Sequence, residues 1–255
     1  LGKKIRLLID TGNVNSVLDS TVAKELGLAV DPILGRDGKP LAGYSSSALK
    51  GLKLGDSGFG DLKVVVMDLA ADIKRDRMPV SDGTIAYTAF KDRLLVIDYK
   101  KQQLSFSEKL TVEIPCTNSC GTMTTPTFGK KGPPILVTTG FEVNGKPISA
   151  QIDTLFTGTM LIYPTSIEKL ALSDVAKSDR KQFFKFTDDG VEMVEGTAKT
   201  ESFGNKILAD NAPLYFATPA VHLPDGMFDG TVGHALFKSS VLWLDFRDMK
   251  MQIEK

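Results

Sequence analysis

"LLIDTGNVNS" (residues 7–16) and "QIDTLFTGT" (residues 151–159) decide how this chain is read. Each carries an apolar stretch into Ile-Asp-Thr, and they part at the next residue, Gly12 in the first and Leu155 in the second. The likeness extends outward. "LGKKIRLLIDT" (1–11) lies over "NGKPISAQIDT" (144–154) without a gap, and "VLDSTVAKELGL" (17–28) lies over "LIYPTSIEKLAL" (161–172) once a single residue is inserted. Far downstream, "DGTIAYTAFKDRLLVIDYKKQQLSF" (82–106) lies over "DGTVGHALFKSSVLWLDFRDMKMQI" (229–253). Two separated blocks in the same order and at similar spacing read as an internal repeat.

Each repeat predicts an apolar strand running into a short helix of about two turns, since a capping residue stands at the junction. Ser20 offers that cap in the first copy, and Thr165 with Glu168 has capping-box spacing in the second. Between the anchors, "RDGKPLAGYSSSALKGLKLG" (36–55) and "TDDGVEMVEGTAKTESFG" (187–204) alternate around Gly-containing turns, the pattern of β-hairpins. The chain is therefore expected to be mainly β. Residues 109–134, rich in Pro, Gly, Thr and Lys, belong to neither copy and read as a linker between an N-terminal lobe, 1–108, and a C-terminal lobe, 135–255. "ILVTTGFEV" (135–143) has no counterpart in the first copy, so an equivalent strand and a signal peptide are expected to precede residue 1.

Lys plus Arg equals Asp plus Glu at 31 each, so no overall field draws in nucleic acid or an acidic membrane. The longest apolar runs have the length of buried strands, too short to span a bilayer. Cys116 and Cys120 in "CTNSC" are too sparse for a disulfide framework or a zinc site; a local disulfide and two free thiols both remain open. His222 and His234 lack metal-ligand spacing, and His234 aligns with Tyr87, which suits a surface or packing role. "GDSG" (55–58) imitates a serine-protease nucleophile segment, but both histidines follow Ser57, the wrong order for that triad, so it reads as a β-turn. Asp98 and Asp245 stand between a strand and a turn and read as turn formers. No phosphate-binding or dinucleotide-binding loop is found, and neither metal nor cofactor is expected.

On these residues, Ile-Asp-Thr twice and "TIAY" or "TVGH" some seventy residues after each, the chain resembles the pepsin-like and retropepsin-like aspartic proteases. Within that family it resembles the bacterial form in which two retropepsin-like halves are fused in one chain. The resemblance covers nearly the whole sequence apart from the linker. It implies a bilobal pepsin-like acid protease fold of two related β-barrel lobes with short helices and a cleft between the lobes. Asp10 and Asp153 would be the catalytic pair, Thr11 and Thr154 the threonines that brace the two loops, and Gly12 a backbone N–H donor beside the carboxylate. "DGKPLAGYS" (37–45) takes the place of the flap hairpin, with Gly43 and Tyr44 as substrate contacts, and "DDGVEMVEG" (188–196) that of a shorter second flap.

Two carboxyls held together cannot both ionise cheaply, so one keeps a proton while the other acts as a base toward a shared water. The expected activity is thus an aspartic endopeptidase, a monomer acting on peptide or protein, periplasmic or secreted as its relatives usually are. Leu155, and more mildly Ala86, depart from the family's glycines. The alternative is a catalytically impaired module of the same fold that binds peptides or proteins, because a branched side chain at Leu155 would crowd the water site.

Overall fold

In "LKVVVM" (62–67), Leu62, Val64 and Val66 are buried while Lys63 is exposed, a period-2 pattern that makes a strand with one face on a core. The four residues of "GTIA" (83–86) are all buried, as a strand in the middle of a sheet requires. Such runs dominate the computed structural model, which describes residues 3–69, 80–107, 116, 120–127, 132–184, 191–218 and 227–255. His222, residues 188–190 of the second expected flap and most of the expected linker lie outside them. The mainly β expectation is borne out. Contacts divide the chain into two compact units, Leu1–Ala89 and Phe90–Lys255.

The first unit contains β1 (Leu7–Asp10), β2 (Ser16–Asp19), α1 (Ser20–Glu25), β3 (Asp31–Leu34), β4 (Pro40–Leu49), β5 (Lys53–Leu54), β6 (Ser57–Gly58), β7 (Leu62–Met67) and β8 (Gly83–Ala86). Six of these strands form one sheet in the order β1-β8-β2-β7-β4-β3. β1 is parallel to β8 and β2 parallel to β7, and the other neighbours are antiparallel. "GDSG" closes the β5–β6 hairpin, with Gly55 at φ +58, the turn expected there.

The second unit contains β9 (Leu94–Asp98), β10 (Gln103–Ser107), β11 (Cys120–Thr124), β12 (Val137–Val143), β13 (Lys146–Asp153), β14 (Met160–Ile162), α2 (Pro164–Ile167), β15 (Lys181–Phe184), β16 (Val191–Phe203), β17 (Lys206–Ala217), β18 (Gly230–Gly233), β19 (Val241–Asp245) and β20 (Lys250–Glu254). They form a 12-stranded sheet that ends in the run β13-β18-β14-β17-β16-β15. Strand for strand, that run has the order and the senses of the sheet in the first unit. Hairpin β9–β10, inside the expected first lobe, joins this sheet through β19, and β11 lies within the expected linker, between β20 and β12. Cys116 and Cys120 form a disulfide, with Cys120 the first residue of β11.

Two helix starts differ from expectation. The cap of α1 is Asp19, not Ser20: Asp19 has extended backbone, and its carboxylate accepts the Thr21 and Val22 amides at 2.8 and 3.4 Å. In α2 no capping box forms, because Pro164 opens the helix with its fixed φ and Thr165 already lies inside it. The turn-forming reading of Asp98 and Asp245 matches the structure. Asp98 accepts the Lys101 amide at 2.9 Å, and Asp245 accepts those of Arg247 and Asp248 at 3.0 and 3.2 Å.

Candidate functional site

In the first unit, β1 delivers Asp10 to its C-terminal end, in register with Ala86 on the parallel β8, and Thr11 and Gly12 form the turn that follows. Asp10 and Thr11 are buried and Gly12 is half-buried. In the second unit, β13 delivers Asp153 in register with Gly233 on the parallel β18, and Thr154 and Leu155 form the turn. Thr154 is buried, while Asp153 keeps partial exposure.

The residue after each Asp of Asp-Gly-Thr explains that second anchor. A Cβ on Gly83 would drive into the Val17 carbonyl, and one on Gly230 into the Leu161 carbonyl, where β2 and β14 cross over them. The preceding aspartates fasten the other side of each strand, to the chain entering β1 and to β13. Asp82 accepts the Arg6 amide at 2.6 Å and its own amide donates to the Arg6 carbonyl at 2.7 Å. Asp229 does the same with Ser149, at 2.9 and 2.7 Å. Asp229 also accepts the Ser166 hydroxyl at 2.8 Å and the Lys169 ammonium at 2.7 Å. Burial pushes this carboxyl up, yet Lys169, Ser149 and Ser166 together hold it below the ordinary carboxylate range.

Leu155 does not deprive Asp153 of a backbone donor. The Leu155 amide donates to Asp153 Oδ1 at 2.9 Å and the Phe156 amide to the same oxygen at 3.1 Å. Leu155 is not among the residues with positive φ, so the turn accepts a side chain there. Its side chain is half-buried, whereas Phe156 is sunk in the core against Tyr215, ring centroids 6.1 Å apart, and anchors the loop. Burial raises the Asp153 carboxyl above the ordinary range against these two N–H donors and His234.

Ala86 and Gly233 differ for a physical reason. The Ala86 amide donates to Ser16 Oγ at 3.0 Å, and its methyl is fully buried. The Gly233 amide donates to the Thr159 carbonyl at 2.8 Å, and a Cβ there would strike the Gly158 and Phe156 carbonyls. The loop with one more residue leaves room only for hydrogen.

His234, read from sequence as a surface or packing residue, is half-buried and lies within the electrostatic influence of Asp153. Its amide donates to the Phe156 carbonyl at 3.0 Å. Burial and Lys238 hold its imidazole below the usual histidine range, against the Phe156 backbone and Asp153. No local motif marks it. Gly43 and Tyr44 lie on β4 where the β3–β4 register slips, Gly43 at φ +81 and Tyr44 exposed. Both line a cavity of about 580 Å³ whose other walls include Ala23, Leu28, Leu41 and Val66. Among the described residues no group of three His, Cys, Asp or Glu could hold a metal ion, and no helix is long and apolar enough to cross a membrane.

Residues 1–88, nearly all of the first unit, match the family model described as aspartyl protease. No curated protein matches the sequence. Among solved structures, the chain is similar to a retropepsin-like aspartic protease from Rickettsia conorii, with 13% identity over 54% of this chain and 97% of that one, TM-score 0.34. It is also similar to Basic 7S globulin from soybean, with 8% identity over 99% of this chain and 88% of that one, TM-score 0.46. A third, edgp, has 9% identity over 97% of this chain and 87% of that one, TM-score 0.45.

Proposed function

We propose that the chain is an aspartic endopeptidase in which Asp10 and Asp153 share one water. The observation that carries this reading is the matching seat of the two aspartates. Each ends a strand paired in parallel with the strand of the Asp-Gly-Thr block, opposite Ala86 in one unit and Gly233 in the other. One carboxyl of the pair holds the proton and the other is the base; we take Asp153, whose carboxyl is raised, as the acid and Asp10 as the base. The water's oxygen attacks the peptide carbonyl carbon as its proton passes to Asp10, while the Asp153 proton goes to the carbonyl oxygen. The resulting gem-diol collapses when its C–N bond breaks: one hydroxyl proton returns to Asp153 as the C=O re-forms, and the amine leaves with the proton held on Asp10. Apparent pKa values belong to the pair. Gly43 and Tyr44 would contact the extended peptide.

The test is digestion of an unfolded protein substrate between about pH 3 and pH 7, the span over which a carboxyl pair titrates. Wild type cleaves, and Asp10→Asn and Asp153→Asn each lose cleavage. Silence in the wild type with cleavage only in Leu155→Gly would overturn the proposal in favour of peptide binding without hydrolysis.

A further inference from the structure

Glu201 lies on β16 with no exposed surface, in register with Val143 on β12 and Ala209 on β17. Among the described residues it has no ion-pair partner, and its Oε2 is buried without a hydrogen bond. Its Oε1 lies 3.1 Å from Thr159 Oγ1, and that hydroxyl also reaches the Pro213 carbonyl at 2.5 Å. A hydroxyl has one hydrogen, and a carbonyl only accepts. Thr159 therefore donates to Pro213, and its contact with Glu201 is a hydrogen bond only when Glu201 supplies the hydrogen as a neutral acid. The unpartnered Oε2 fits the same state, since a buried acid carbonyl tolerates isolation far better than a buried carboxylate does.

Thr159 is also the residue whose backbone carbonyl holds the Gly233 amide, directly across the register from Asp153. We infer that Glu201 is a positioning residue whose proton latches the Asp153 loop: Glu201 donates to Thr159, Thr159 donates to Pro213 on β17, and the Thr159 carbonyl fixes Gly233. Its bearing on catalysis rests on the reading of Asp153 above, while the latch itself does not.

Burial lifts the Glu201 carboxyl to about 8. The titratable group in electrostatic reach is the Tyr215 phenol on β17, itself raised by burial and by Glu195 and Glu201 and lowered by Arg180. On β12, Glu142 neighbours the register partner Val143 and meets the Ser202 hydroxyl at 3.4 Å. A group raised in the fold stabilises it most below its unfolded pKa, and that contribution is lost as pH climbs through the folded value.

The test compares wild type with Glu201→Gln, whose amide N–H can still donate to Thr159 but cannot ionise. The wild-type melting temperature should fall relative to Glu201→Gln as pH rises from about 5 to about 9, then run parallel to it. In the wild type, the hydrogen-exchange protection of the Gly233 amide should drop by about tenfold over that span and stay level in Glu201→Gln. Thr159→Val should lose the protection at every pH, and Thr159→Ser should restore it. At pH 6, the difference infrared spectrum of wild type minus Glu201→Gln should show a protonated-carboxyl band. Parallel melting curves throughout, or no such band, would overturn the latch. If instead no variant cleaves peptide while the melting and exchange results hold, the endopeptidase reading fails and the latch stands. With cleavage present, the alkaline limb of kcat should move upward in Glu201→Gln; an unmoved limb would remove the positioning role.

Discussion

The carboxylate of Asp229 takes both the amide and the hydroxyl of Ser149, at 2.9 and 3.2 Å. Removing it orphans a backbone donor in the strand that leads to Asp153. Lys169 is mostly exposed, so its ion pair adds little and the Ser149 and Ser166 bonds carry the effect. Asp229→Ala should cost about 3 kcal/mol in denaturant unfolding. Because the carboxyl sits below its ordinary range, its contribution is present above about pH 4 and lost as pH falls through the folded value. The gap in melting temperature between wild type and Asp229→Asn should accordingly narrow below about pH 3.

Gly83→Ala and Gly230→Ala should each destabilise by about 3 kcal/mol or more, because the methyl meets a strand carbonyl and neither backbone can yield. Thr84→Ala and Thr231→Ala, one position on, serve as controls in the same melts. A loss at Gly83 or Gly230 no larger than in these controls would contradict the close crossing.

The two apolar residues after Thr154 should part company. Phe156→Ala empties a core site and should cost about 3–5 kcal/mol. Leu155→Ala, at a half-buried position, should cost under about 1.5 kcal/mol. Leu155→Gly keeps the N–H that reaches Asp153 and should lose about 0.5–1 kcal/mol through chain entropy. Chemical denaturation of the three variants checks the ranking.

Tyr44 is exposed and belongs to the cavity wall, so Tyr44→Ala should leave stability within about 0.5 kcal/mol. On the endopeptidase reading it should raise KM for peptide substrates more than it lowers kcat, which steady-state kinetics would separate.

The strand ends at Asp10 and Asp153, and the single-residue insertion after the second, were legible because apolar runs and a repeated triplet are local patterns. The structure puts that insertion where Val17 and Leu161 both face the threonine of Asp-Gly-Thr. What escaped was non-local. β9 finds its partner β19 far along the chain, which no local pattern announces. Asp82 and Asp229 entered the sequence reading only as members of the repeated block, and nothing local shows that their carboxylates fasten a distant strand. Glu201 sits in a stretch of alternating polar and apolar residues with nothing to mark it as neutral. His234 acquires its neighbour Asp153 only through the parallel pairing of β13 and β18. The Asp19 cap was missed by one residue, because Asp and Ser serve equally well there and only the backbone angle decides.

The donor at Ala86 depends on a side chain, Ser16 Oγ, whereas the one at Gly233 depends on a main-chain oxygen. Main-chain atoms are inherited whatever the codon. A single-base change at Ser16 can therefore delete the acceptor of the first anchor, whereas a substitution at Thr159 leaves the second acceptor in place and alters only how firmly it is held. Under random mutagenesis every replacement at Ser16 except those that keep a side-chain acceptor should weaken the first anchor. Relaxed selection would then show first as drift at residue 16.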